Sequence, residues 1–148
     1  SLHDALPISN EVEALAELFD LYRVHYGQAS DAAGSAGWLK ENLGPGRMTA
    51  FVADDNGRFV GFAVTVVIPA SLRLAHFWQV RDLFVLPRHR RQGVAHALLD
   101  SVRAAASASG ALRLTLQTEE HNDPALALYT SSGYTPMSGY RTLVLPID

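Results

Sequence analysis

A chain of 148 residues, 48% hydrophobic and 18% charged, is too apolar to be disordered and fits one domain, burying roughly two thirds of its unfolded surface. Its 15 acidic residues outweigh 12 Lys plus Arg, and a net charge of −3 argues against a general nucleic-acid binder, so any basic patch must be local. The absence of cysteine excludes disulfides, thiolate metal sites and a cysteine nucleophile. No apolar run approaches the ~20 residues of a membrane span, and the N-terminus lacks a basic segment leading into an apolar one. A cytoplasmic protein without a membrane partner is expected.

The first nine residues, SLHDALPIS, do not alternate like a strand. They can be back-translated as CTA CAC GAC GCT CTT CCG ATC, which is sequencing-adapter DNA. Residues 1–8 are therefore expected to be a non-native read-through segment in the place of a native first strand, with the domain proper at 9–148.

From there the pattern is regular. Val12, Leu15, Ala16, Phe19, Tyr22 and Tyr26 recur at helical spacing, and Asn10 with Glu13 supplies a capping-box-like start. A shorter helix is predicted over 35–43, closed by Gly44-Pro45-Gly46. MTAFVADDNGRFVGFAVTVVI (48–68) predicts a hairpin turning at Asp55-Asn56-Gly57, and LAHFWQVRDLFVLP (74–87) predicts a long strand. The next helix carries Val94, Leu98, Val102 and Ala105 on one face and stops at Gly110. LRLTLQTE (112–119) alternates as a strand. NDPALALYTSSG (122–133) predicts a short helix with Asp123 at its cap and Pro124 at its first position, and YTPMSGYRTLVLPI (134–147) predicts the last strand or two. The order ααβββαβαβ, missing an initial strand, indicates one α/β domain with a mixed sheet.

The turn at 88–92 crowds Arg88, His89, Arg90 and Arg91 together just ahead of a helix. Mutual repulsion does not favour such a cluster, so an anion is expected in front of it. The first amides of the helix, near 91–96, have no intrahelical acceptor, and the helix dipole adds partial positive charge there. Gly93 has no Cβ and Ala95 a minimal one, so a phosphate can approach the backbone, and the arginines supply full charges around it. This is a candidate pyrophosphate cradle. Neither Gly-x-Gly-x-x-Gly nor Gly-x-x-x-x-Gly-Lys-Ser/Thr occurs in the turn. The six histidines show no metal-ligand spacing, so no metal is expected.

Arg90-Arg91-Gln92-Gly93-Val94-Ala95, read as Arg/Gln-x-x-Gly-x-Gly/Ala, resembles the acetyl-coenzyme A signature of the GNAT superfamily of N-acetyltransferases. It follows a strand ending DLFVLP and opens a helix continuing HALL, as in that family. Farther on, Asn122, Ala125, Leu128, Tyr129, Gly133 and Tyr134 resemble the family's second signature, Asn-x-x-Ala-x-x-Leu-Tyr-x-x-x-Gly-Phe/Tyr. The resemblance covers residues 10–148.

It implies a mostly antiparallel central sheet flanked by helices, in which the strand ending at Val85 splays from the strand starting at Leu112. Acetyl-coenzyme A would bind in the gap as co-substrate. Arg90, Arg91, Gln92, Gly93, Val94, Ala95 and His96 would hold its phosphates, and Asn122 and Tyr129 would also border it. The backbones of Leu83, Phe84 and Val85 would pair with the pantetheine arm, and an amide there would polarise the thioester carbonyl. An amine would attack directly, without an acyl-enzyme, and Tyr129 would protonate the departing thiolate, a phenol having an ordinary pKa of about 10. The family's usual carboxylate positions hold Arg81, Gln79 and Gln117 here. The nearest remaining carboxylates are Glu119, on the face of Gln117 by strand alternation, and Asp82 as the alternative base. The base stays open.

The leading reading is an N-acetyltransferase acting on a small-molecule or peptide amine. The alternative is a non-catalytic coenzyme A or acetyl-coenzyme A sensor, which the missing carboxylates favour and Tyr129 opposes. A nucleic-acid or phosphoprotein module is disfavoured by the net charge. Tyr22, His25, Tyr26, Arg73, His76 and Trp78 are candidates for the acceptor wall. A homodimer is left open.

Overall fold

The computed structural model describes the backbone of residues 2–5 and 9–148, and side chains from Glu11 onward. Strands β1 (Leu2–Ala5), β2 (Thr49–Asp55), β3 (Arg58–Ala70), β4 (Ala75–Val85) and β5 (Leu114–Leu116) form one sheet in chain order. The helices are α1 (Ser9–His25), α2 (Ala32–Leu43), α3 (Val94–Ala108) and α4 (Asp123–Ser131). The first three strand pairs are antiparallel, and β4–β5 is parallel. A parallel pair needs a crossover, which α3 supplies. The mixed, mostly antiparallel α/β sheet flanked by helices is thus present. None of the described helices is long and apolar enough to cross a membrane.

The chain divides into two compact units, residues 1–117 and 118–148. In the first, residues 2–5 occupy the edge beside β2, with Leu2 opposite Ala53 and Ala5 opposite Ala50. A segment read as non-strand therefore fills the position of the first strand. Backbone pairing asks little of side-chain identity, which is how a stretch without alternation can add to an edge. The capping box expected at Asn10 rests on a side chain outside those described.

The hairpin turns at Asn56-Gly57, both at positive φ (52° and 85°), as a two-residue hairpin turn requires. Along β3, Phe62 and Val64 face α1, where Phe62 meets Phe19 and Tyr22 at centroid distances of 5.8 and 5.4 Å. Gly61 faces the other way, because successive strand residues alternate. A Cβ on Gly61 would lie 3.2 Å from Val94 Cγ1 and 3.3 Å from Leu98 Cδ1, so its absence lets the start of α3 pack tightly on the sheet. The core comprises Leu15, Leu39, Phe51, Val52, Phe62, Val64, Leu98 and Val102, all essentially inaccessible.

Helix α2 starts three residues before the expected Ser35, because the Asp31 side chain accepts from the Gly34 amide and caps it. Asp20, buried at the α1–α2 junction, accepts from Ser30 Oγ (2.6 Å), the Asp31 amide (2.8 Å) and Ser35 Oγ (3.4 Å). The Ser30 hydroxyl and Asp31 amide hold its carboxyl below the ordinary value of 3.8, outweighing desolvation, with Arg23 adding to them.

In the second unit, α4 is capped by Asn122 Oδ1, which accepts from the Ala125 amide at 3.3 Å. The strands expected over 134–147 are not formed, and residues 134–148 carry no regular structure. Strand β5 is also shorter than the expected 112–119. A strand exists only where a neighbour completes its hydrogen bonds, and β5 has one neighbour along only three residue pairs.

A group with a lowered folded pKa stabilises above its unfolded pKa, and that contribution is lost as pH falls through the folded value. Asp20→Ala should therefore lower the melting temperature at pH 7. The difference from wild type should narrow as pH drops below 3.8. Thermal scans of both proteins between pH 7 and the acid range test this. A pH-independent difference would mean that the charge of Asp20 is not what ties α1 to α2.

Candidate active site

The site begins with a break in the β3–β4 ladder. Val64 pairs with Asp82 but Thr65 pairs with Val80, so Arg81 is an extra residue bulged out of β4. A bulge reverses the alternation. Before it, Val80 and Trp78 share the face of Thr65, and Trp78 packs on Phe51 at 6.4 Å. After it, Asp82 and Phe84 share the face of Val64 and Phe62, beneath α1.

The bulge redirects the backbone as well. Before it, Trp78 N–H donates to Arg113 and His76 C=O accepts from Leu112, so the even-numbered residues of β4 bond toward β5. Beyond it, Leu86 N–H donates to Val60 C=O on the β3 side. Counting back in twos, Phe84 and Asp82 also bond to β3, while Leu83 and Val85 turn their amides to the opposite edge. Pairing with β5 stops at Val80–Leu116, so the edge from Arg81 to Val85 has no adjoining strand among the described residues. This is the splay. It also corrects the expectation that Phe84 would offer its backbone to a ligand: only Leu83 and Val85 face the open edge. The Val85 carbonyl is already taken, accepting from Arg90 Nε at 3.0 Å.

Downstream of Val85 the chain makes a single helical turn, Pro87–His89, and enters the basic turn. Arg91 (φ 62°) and Gly93 (φ 79°) are both left-handed, and such backbone gathers successive N–H groups into an anion-binding concavity. For Arg91 the conformation is uncommon, the kind of local strain that clusters at binding sites. Gly93 is the N-cap of α3 and has no side chain to cap with, and the first intrahelical bond runs from Ala97 to Gly93. The amides of Val94 and Ala95 therefore have no intrahelical acceptor. A Cβ at Gly93 would touch nothing within 4 Å, so its left-handed φ, not crowding by protein, selects glycine there.

The basic side chains divide by role. Arg90, though exposed, donates from Nε to the Val85 carbonyl and lies over the Phe84 ring at 5.6 Å. His89 approaches Asp55 at 3.4 Å. Gln92 donates to the Arg88 carbonyl at 3.3 Å. Arg88 and Arg91 are exposed and supply the outward charge. Arg90 and His89 thus also brace the turn.

Asp82 is half-buried and accepts a hydrogen bond from Tyr22 Oη at 2.8 Å. Burial raises its carboxyl above the ordinary value, opposed by the Tyr22 bond and by the Arg81 charge. Tyr22 belongs to an aromatic cluster with Tyr26 (5.2 Å), Phe62 (5.4 Å) and Phe84 (5.7 Å), and His25 lies 5.8 Å from Phe84. Three of the acceptor-wall candidates, Tyr22, His25 and Tyr26, thus share one aromatic cluster, in which Tyr22 meets Asp82. Trp78 and His76 do not: Trp78 is buried on the opposite face, and His76 Nε2 lies 3.1 Å from Ser109 Oγ at the end of α3. Arg73 sits in the single turn Ser71–Arg73. Arg81 donates to Gln79 Oε1 at 3.0 Å, so two positions where a carboxylate was expected hold each other.

In the second unit, Tyr129 lies half-buried on α4, with its ring 6.0 Å from that of Tyr134. Glu119 is beyond the end of β5, where strand alternation no longer fixes a face, and its carbonyl accepts from the Asn122 amide. Sequence reasoning missed Tyr22 as the partner of Asp82; only the bulge brings the two together.

Known proteins share the fold that carries this site. The model of the acetyltransferase (GNAT) family matches residues 12–134, across both units. The chain is 36% identical over 132 residues to the uncharacterised N-acetyltransferase YhfO of Bacillus subtilis (strain 168), covering 89% of each. A solved structure of a probable acetyltransferase superposes with a TM-score of 0.92 at 29% identity, covering 100% of this chain and 98% of the other. The fold is shared with an aminoglycoside acetyltransferase from a soil metagenome, at a TM-score of 0.84 and 18% identity over 99% and 97% of the two chains. The chain belongs to the GNAT acetyltransferase family and is an acetyltransferase. The family uses acetyl-coenzyme A as co-substrate.

Tyr22→Phe removes the hydrogen bond that favours ionised Asp82 and leaves the ring in place. The Asp82 carboxyl should then titrate at a still higher pH than in wild type, as followed by carboxyl carbon NMR. An unchanged titration would show that Tyr22 does not support the charge on Asp82.

Proposed function

We propose that this chain transfers the acetyl group of acetyl-coenzyme A to a primary amine, on a small molecule or a peptide, by direct attack in a ternary complex. One observation carries the proposal. The open edge of β4 beyond the Arg81 bulge runs straight into the left-handed turn at the start of α3, with a desolvated carboxylate beside it. That is a track for an extended arm, a seat for its phosphates, and a base, in one run of chain.

Leu83 and Val85 would pair with the pantetheine arm as a neighbouring strand does, through the Leu83 amide and carbonyl and the Val85 amide. The Leu83 amide, next to Asp82, would polarise the thioester carbonyl. The amides of Val94 and Ala95, the left-handed turn of Arg91 and Gly93, and the charges of Arg88 and Arg91 would hold the phosphates. Arg90 contributes by fixing the turn.

Asp82 is the base this reading favours. It is desolvated, has Tyr22 as a positioning partner, and lies beneath an aromatic cluster that can wall an amine with an apolar body. Its carboxylate would take the proton from the ammonium form of the acceptor, directly or through one water, so that the nitrogen lone pair can attack. A raised pKa suits that role, because a base works best when its pKa approaches the operating pH. Tyr129 would supply the proton to the departing thiolate, and Glu119 is the alternative base. Asp82 also removes the main support for a non-catalytic sensor, which was the lack of a carboxylate.

Thiol release from acetyl-coenzyme A with a panel of amines is the direct test. Asp82→Asn should lower kcat/KM by about 10²–10⁴-fold while coenzyme A still binds. Tyr129→Phe should lower turnover on the same scale at pH 7, and less above pH ~9, where the thiolate needs no proton. If Asp82→Asn turns over within about threefold of wild type while Glu119→Gln does not, the base is Glu119. If Tyr129→Phe keeps wild-type turnover at pH 7, the thiolate takes its proton from elsewhere.

Gly93→Glu places a carboxylate where the phosphates would sit. The left-handed φ costs a non-glycine residue about 1–2 kcal/mol, a strain within the stability of an ordinary domain. The variant should stay folded by circular dichroism and show no coenzyme A binding by calorimetry. Normal affinity in a folded variant would remove the cradle.

A further inference from the structure

Arg81, the extra residue of the β4 bulge, sends its side chain to the side of the sheet that carries Asp82. Gln79 stands opposite Val66 and Asp82 opposite Val64, and those two residues of β3 share a face. Arg81 reaches that face, because its Nη1 donates to Gln79 Oε1 at 3.0 Å. Its charge also reaches Asp82, where it favours the ionised carboxylate. Yet Arg81 is exposed, and among the described residues no carboxylate lies within ion-pair distance of its guanidinium. Two opposite charges thus stand on consecutive residues beside the aromatic cluster of Tyr22, Tyr26 and Phe84.

We propose that Arg81 selects the acceptor, which is a free α-amino acid with an apolar side chain, its carboxylate on Arg81 and its ammonium at Asp82. This rests on the transfer to an amine at Asp82 proposed above and narrows it to one substrate class.

Each part of such an acceptor answers one part of the protein. A guanidinium matches a carboxylate in plane through paired N–H donors, and the bond to Gln79 leaves donors for a ligand. The half-buried Asp82 takes the ammonium, and the aromatic rings cover the side chain. Because Arg81 and Asp82 are consecutive, the groups they read must sit close together on a short stem, as in an α-amino acid. A plain amine would leave the guanidinium unpaired, and a polyamine would set a second ammonium against it. That mismatch discriminates as much as the new bond does. In the transfer, the ammonium gives one proton to Asp82, and the nitrogen forms its bond to the acetyl carbon as the C–S bond breaks. The second proton that the nitrogen sheds balances the one taken up by the thiolate. The products are an N-acetyl amino acid and coenzyme A, with the carboxylate on Arg81 unchanged.

Thiol release from acetyl-coenzyme A tests this with a matched pair, L-phenylalanine and phenethylamine, which differ only by the carboxylate. Spermidine serves as the polycation. Wild type should favour phenylalanine over both in kcat/KM. Arg81→Gln should lower the phenylalanine-to-phenethylamine ratio by about 10–10²-fold, chiefly through KM for phenylalanine, the scale of one charge-assisted pair. Taking the ratio within each enzyme cancels whatever the substitution does to both substrates alike through Asp82. Arg81→Lys keeps the charge and should retain part of the preference. A ratio unchanged in Arg81→Gln overturns the proposal. So does a wild type that prefers phenethylamine or spermidine, or that acetylates other amines but not phenylalanine, and either result leaves transfer to an amine standing. Thiol release with none of these and with no other amine of a wide panel overturns both.

Discussion

The bulge at Arg81 is the constraint on which the candidate site depends. A single extra residue in β4 does three things together: it turns Asp82 and Phe84 under α1, aims the Leu83 and Val85 amides at the open edge, and coincides with the end of pairing to β5. Without it, Asp82 would share the face of Val80 and Trp78, remote from Tyr22. One insertion in one ladder thereby couples the place of the Asp82 carboxylate to the open edge of β4, because in a strand side-chain face and hydrogen-bonding edge alternate in lockstep.

Around that bulge the structure separates charges by function. The chain is acidic overall, yet the turn before α3 presents Arg88 and Arg91 outward beside helix amides that lack intrahelical acceptors. On the α1 side an anion is held in a drier place, where burial works against the charge of Asp82 and Tyr22 works for it. Asp20 shows the opposite balance, since its hydrogen bonds outweigh desolvation. The first carboxylate is suited to accept a proton, and the second to stay charged and tie α2 to α1.

Much of this was legible in the residues themselves. Helical spacing gave α1 and α3, Asn56-Gly57 marked the hairpin turn, and Arg90 to Ala95 together with the later run from Asn122 to Tyr134 carried the resemblance to the family. Such signals are local: a period, a turn residue or a glycine at a helix start acts within a few neighbours in the chain. The left-handed Gly93 could be anticipated for the same reason, whereas the left-handed Arg91 could not, since nothing in an arginine side chain asks for that φ.

The sequence by itself thus determined the elements from α1 to α4, their order, the basic turn and the pair of signatures. Only the tertiary structure decided the rest. Whether β4 is regular or bulged depends on how β3 pairs with it, so alternation along the strand could not say that Asp82 would share a face with Phe62 and Val64. The same dependence gave Arg90 its bond to the Val85 carbonyl, which faces an edge without an adjoining strand. It also left 134–148 without the strands that its alternation suggests. Periodicity records which face a residue can show, but a ladder needs a partner, and the partner lies far away in the chain.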